Sequence, residues 1–202
     1  MSATRVLRAR DLIGLPVVTL DGGEDVTEVR DVVYDAHEHR LVGFTLNKRG
    51  MLSGRLDEVL PTDALAAIGA DAVMIDDERR ITESGRPQAL QSTDGSASVI
   101  GNRVISADGT VLGRVVGVIV STGDDPAAVG YEIEATDEAG DAKADRAFVP
   151  ISAQIAVSDD NLMLPAEATD FIRNDLAGFG AAVDDYRRST LDKSTLDKGA
   201  PA

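Results

Sequence analysis

The chain has no cysteine in 202 residues, which excludes disulfides, thiolate metal sites and cysteine nucleophiles and leaves stability to packing alone. Its longest apolar runs, such as the one from Val115 to Val120, are far too short to cross a bilayer, so no membrane span is expected. Arg5, Arg8 and Arg10 stand near the N-terminus, but no apolar stretch with a small-residue cleavage site follows them. A secretory leader is therefore not expected, and the cytoplasm is the expected location. Positive charge is scarce: 20 Lys and Arg face 35 Asp and Glu, a formal net charge of −15, which would repel a phosphate backbone. Nucleic acid is accordingly not an expected partner. The sequence contains no phosphate-cradling glycine loop, nucleophile elbow or zinc-protease helix, so neither an enzyme nor a cofactor is expected.

What is present is an internal repeat. Leu12-Ile13-Gly14 returns as Val99-Ile100-Gly101, and Val42-Gly43-Phe44 returns as Val129-Gly130-Tyr131 at the same separation. Val59-Leu60-Pro61 returns as Phe148-Val149-Pro150 after a drift of two positions, the mark of a loop-length difference. Asp21-Gly22-Gly23 and Asp108-Gly109 each precede a β-branched run, Val26 to Tyr34 and Val111 to Val120, which is a turn-then-strand signal. Gly113 and Gly117 inside the second run point to bends of the kind found at barrel corners.

These signals predict a mainly β chain with modules at 8–77 and 97–165, joined by a polar, turn-rich linker at 78–96. An amphipathic helix is expected over 166–188, followed by a disordered tail at 189–202 that holds the duplicated Ser-Thr-Leu-Asp-Lys.

The order hydrophobic-Ile-Gly, β-branched pair, Asp-Gly, Gly-containing strand, Val-Gly-aromatic strand and Val-Pro strand resembles the PRC-barrel family. The likeness covers roughly residues 8–76 and 97–165. The second copy is the closer one, because the first has Thr27 where the pattern has Gly113. The resemblance implies two tandem small PRC-like β-barrels with a short C-terminal amphipathic helix, and a fold whose members bind partners without a shared catalytic motif. A non-catalytic protein–protein adaptor or scaffold is the expected function, with a small-molecule or metal-binding sensor as the alternative. The expected partner is a protein, and a second copy of the chain in a homodimer is one option.

Candidate site residues follow from charge and periodicity. His37 and His39 share a strand face in principle and would suit a weak metal site, but they fall where a hairpin turn is expected, so no metal is assigned. Asp124-Asp125-Pro126 and the acid pairs Asp76-Asp77 and Asp159-Asp160 read as solvated turns. Lys48, Arg49, Met51, Leu52 and Arg55 concentrate cations and apolar side chains in an otherwise acidic chain, and are expected to touch an acidic partner surface. Ile172, Leu176, Phe179, Val183 and Tyr186 fall on one stripe of a helix, which would either dock on a partner or fold back over an edge strand of its own barrel.

Overall fold

The computed structural model describes residues 4–35, 40–47, 55–81, 99–122, 126–136, 142–151, 155–158 and 160–197. The first module is a six-stranded sheet made from β2 (Pro16–Thr19), β3 (Asp25–Asp35), β4 (Arg40–Asn47), β5 (Arg55–Pro61), β6 (Leu65–Ile68) and β7 (Val73–Ile75), in the order β5-β4-β3-β2-β7-β6. The second contains β8 (Arg103–Ser106), β9 (Val111–Ser121), β10 (Ala128–Thr136), β11 (Ala142–Pro150), β12 (Ala156–Val157) and β13 (Asn161–Leu164), in the order β11-β10-β9-β8-β13-β12. Strand for strand the two orders coincide. The coincidence extends to the one parallel pair in each sheet, β2 with β7 and β8 with β13. The repeat read from the sequence is a repeat of topology.

Each module buries its own apolar cluster. Leu12, Val17, Val29, Phe44, Leu46, Leu60 and Ile75 fill the first, and Val104, Val115, Tyr131, Ile133, Val149, Leu162 and Leu164 fill the second. Full burial of such side chains stabilises a fold by roughly 1.5–3 kcal/mol each. At the repeated Val-Gly-aromatic motif, a Cβ on Gly43 would collide with the Leu60 carbonyl, and one on Gly130 would stand 2.7 Å from the Val149 carbonyl, so neighbouring strands require glycine in both copies. The departure at Thr27 is also accounted for. Its buried hydroxyl donates to the Asn47 carbonyl at 2.6 Å, whereas Gly113 packs directly against the Glu134 carbonyl.

Three features depart from the boundaries expected from sequence. The strand β1 (Val6–Arg8), ahead of the first module, pairs antiparallel with β9, Val6 against Ser121 and Arg8 against Ile119, and so belongs to the second sheet. At the linker start, Glu78–Arg80 forms a 3-10 turn capped by the Asp77 carboxylate, and residues 82–98 lie outside the described part. The expected helix at 166–188 is two: α1 (Ala166–Thr169) and α2 (Leu176–Asp197), with Ile172 in the segment between them. Arg173 breaks the helix because its backbone exchanges hydrogen bonds with Phe148 on β11, at 2.7 and 3.1 Å. The Asp175 carboxylate then accepts from the Gly178 N–H at 2.6 Å and restarts it. Beyond residue 188, where a disordered tail was expected, α2 continues to Asp197. Ser189 and Thr190 donate their hydroxyls back to the Tyr186 carbonyl instead of competing with the helix.

The apolar stripe of α2 folds back on its own barrel. Phe179 and Val183 bury against Ile119, Val129 and Phe148, with the rings of Phe179 and Phe148 5.7 Å apart. Tyr186 enters the second module's core beside Phe171, whose ring lies 5.1 Å away. Leu176 and Ile172 pack at the margins of the same clusters. Thr4 ties the N-terminal segment to this helix, donating its N–H and hydroxyl to the Asp184 carboxylate at 2.9 and 2.6 Å.

Candidate functional site

The feature that joins the two modules is built from equivalent turns. After Leu12, fully buried, the chain turns at Gly14 with φ +87° while the Gly14 N–H donates to the Val29 carbonyl at 2.8 Å. After Val99, also buried, Gly101 turns with φ +96° and donates to the Val115 carbonyl at 2.8 Å. A positive φ suits glycine, and the inward residue before each turn forces the residue between them outward. Ile13 and Ile100 therefore stand out at the same place in each repeat, each 49% exposed.

Both isoleucines face one cleft of about 410 Å³ between the modules. The first module supplies Arg10, Ile13, Asp31, Val32 and Tyr34 to its wall, and the second supplies Ile100, Val116, Gly117 and Val118. Asp31 accepts the Val32 N–H at 2.8 Å, a side-chain substitute for a strand neighbour.

Behind the cleft one polar contact joins the modules and a second anchors the N-terminal segment to the second sheet. The Tyr34 and Tyr131 hydroxyls lie 2.5 Å apart with their rings edge to face, and burial pushes the Tyr131 phenol up to about 12, only partly opposed by its bond to Tyr34. Glu132 is completely buried on β10. Its Oε1 accepts from Arg8 Nε at 3.1 Å, and its Oε2 lies 3.4 Å from Arg10 without a hydrogen bond among the described residues. The carboxylate has room because Gly117, its partner across the ladder, has no side chain: a Cβ there would stand 3.1 Å from Oε2. The corresponding residue of the first module is Thr45, so the acid that anchors the N-terminal arginines exists in one copy only. Arg8 also lies over the Phe148 ring, 5.3 Å from its centre.

Of the residues singled out from sequence, His37, His39, Lys48, Arg49, Met51, Leu52, Asp124, Asp125 and Asp159 lie outside the described residues, and Arg55 is described only as the first residue of β5. Asp77 is engaged in capping, and its bonds to Arg79 hold its carboxyl below the usual range. Among the described residues no group of three His, Asp or Glu side chains forms a metal cluster, and no helix is long and apolar enough to cross a membrane. Phe179, Val183 and Tyr186 are taken up in the chain's own core. The cleft residues were not singled out from sequence. The one available signal was Ile-Gly recurring at equivalent positions, since an apolar residue between a buried neighbour and a turn glycine has to face outward.

Compared with known proteins, residues 5–80 match the PRC-barrel domain, so the first module and its leader carry that fold. No curated protein matches the chain. The likeness of the second module to the first rests on strand order, the parallel pair and the equivalent glycine turns.

Proposed function

From a first module that is a PRC-barrel domain, a small β-barrel of the kind that mediates protein interactions, we propose that the chain is a non-catalytic protein-binding adaptor whose seat is the cleft between its modules. The observation that carries this reading is the pair Ile13 and Ile100, half-exposed at equivalent positions and facing one cavity. β-branched side chains left half in water on two rigid turns lose apolar exposure when a partner covers them, and their restricted χ1 makes that ordering inexpensive. The polar groups nearby serve binding and assembly: Glu132 is held by Arg8, and Tyr131 by Tyr34.

A small-molecule sensor is the second reading, favoured by the cleft's volume, which falls in the range of ligand pockets. Affinity capture from native cells with the wild-type chain and with the Ile13→Asp/Ile100→Asp double variant tests both readings. Both positions are half-exposed, so the variant keeps its fold, as circular dichroism will check. A protein retained by the wild type and lost by the variant supports the adaptor. A co-purifying organic ligand lost by the variant supports the sensor. Equal capture by both overturns the assignment of the cleft.

A further inference from the structure

The cleft's charges narrow what it can hold. Arg10 and Asp31 are its two charged residues and have opposite sign, so the seat itself is close to neutral although the chain carries −15. Arg10 is ion-paired with two carboxylates, Glu132 at 3.4 Å and Asp11 at 3.8 Å, but makes no hydrogen bond to either among the described residues, and its guanidinium has more N–H donors than these two contacts engage. One oxygen of Asp31 accepts the Val32 N–H, and the other remains as an acceptor. An anion reaching Arg10 would face Asp31 and the buried Glu132; a cation reaching Asp31 would face Arg10. A neutral amide offers a carbonyl to the first and an N–H to the second, and the other side chains of the lining are aliphatic except Tyr34, whose hydroxyl is engaged with Tyr131.

We propose that the cleft takes an uncharged aliphatic side chain from an extended segment of a protein partner, clasped between Ile13 and Ile100, with Arg10 donating to that segment's backbone carbonyl and Asp31 accepting its N–H. This rests on the adaptor reading of the cleft. It adds that the partner segment is neutral and read through its main chain, a mode in which backbone bonds give affinity and a side-chain pocket gives selectivity. Neither module forms the seat alone, because each contributes one isoleucine and one wall.

The test is methyl NMR on the full chain with labelled isoleucine, titrated with acetyl-Val-Ile-Val-amide, its Val-Lys-Val and Val-Glu-Val counterparts, and N-acetyl-leucine amide. The neutral tripeptide is expected to shift the Ile13 and Ile100 methyls saturably. Both charged tripeptides, and the neutral tripeptide on Arg10→Met or Asp31→Asn, are expected to bind at least about tenfold more weakly. Asp31→Asn keeps the acceptor for Val32, and an unchanged spectrum elsewhere verifies folding. Equal shifts from charged and neutral peptides overturn the neutral-segment proposal while leaving the cleft as a seat. Equal affinity for N-acetyl-leucine amide overturns the extended segment in favour of a small molecule. No shift with any probe overturns the proposal, and the capture experiment then decides the adaptor reading separately.

Discussion

Phe179→Ala is the sharpest test of how the C-terminal helix is held. The ring is fully buried and lies against the backbone of Gly130, where even a methyl would collide with it. Truncating a buried phenylalanine costs roughly 3–5 kcal/mol, and the value depends on how far the site can collapse. Here collapse is resisted on two sides. The sheet backbone beneath Gly130 is fixed by its ladder, and the Phe148 ring 5.7 Å away loses an aromatic neighbour worth about 0.5–1.5 kcal/mol beyond its area. A loss of about 4 kcal/mol is therefore expected, which for a chain of this size lowers Tm by roughly 8–16 °C. Urea denaturation followed by far-UV circular dichroism gives the value. Leu191→Ala, at an exposed position on the same helix, serves as the control and should change stability by no more than about 0.5 kcal/mol. A loss below about 1.5 kcal/mol for Phe179→Ala would refute the packing argument.

Two glycines of the same helix should respond with opposite sign. Gly178→Ala gains up to about 1 kcal/mol of helix propensity and meets only the Asp175 carboxylate at 3.2 Å, so thermal melts should show a small net stabilisation. Gly180→Ala would collide with the Thr4 carbonyl, and should destabilise despite the same propensity gain; stabilisation by both would overturn the N-terminal clamp. Burial raises the Asp184 carboxyl, but its two bonds from Thr4 together with the charges of Arg187 and Arg188 lower it further, leaving it below its ordinary 3.8. A lowered folded pKa contributes stability above the unfolded value that is lost as pH falls through the folded one, so Thr4→Ala should narrow the stability gap between pH 6 and acid, measured by melts across that range. An unchanged pH profile would remove the Thr4 tie from the account.

The sequence made the repeat legible because turn glycines and β-branched runs are local signals, and each module's topology follows from hairpins between neighbours. The stripe from Leu176 to Tyr186 was legible for the same reason, as periodicity within one element. The break at Arg173 was not, since it depends on a bridge to Phe148, which is distant in sequence. Glu132 was hidden by its surroundings: between Tyr131 and Ile133 it occupies an outward position of β10, and it is buried only because Arg8 and Arg10 cover it. The cleft, likewise, exists only where two modules meet, and no window of sequence contains both walls.

The pairing of β1 with β9 sets an order of events during synthesis. Val6–Arg8 leaves the ribosome ahead of both modules, yet its ladder partners at Ile119–Ser121 follow more than a hundred residues later. At translation rates of about 5–20 residues per second, the strand waits on the order of ten seconds for its sheet. During that interval the first module can complete its own six strands, since β1 is not among them. The leader of the finished module then becomes the surface on which the second sheet and, after it, the helix α2 are assembled, so a strand made before either module is locked only after the first is complete.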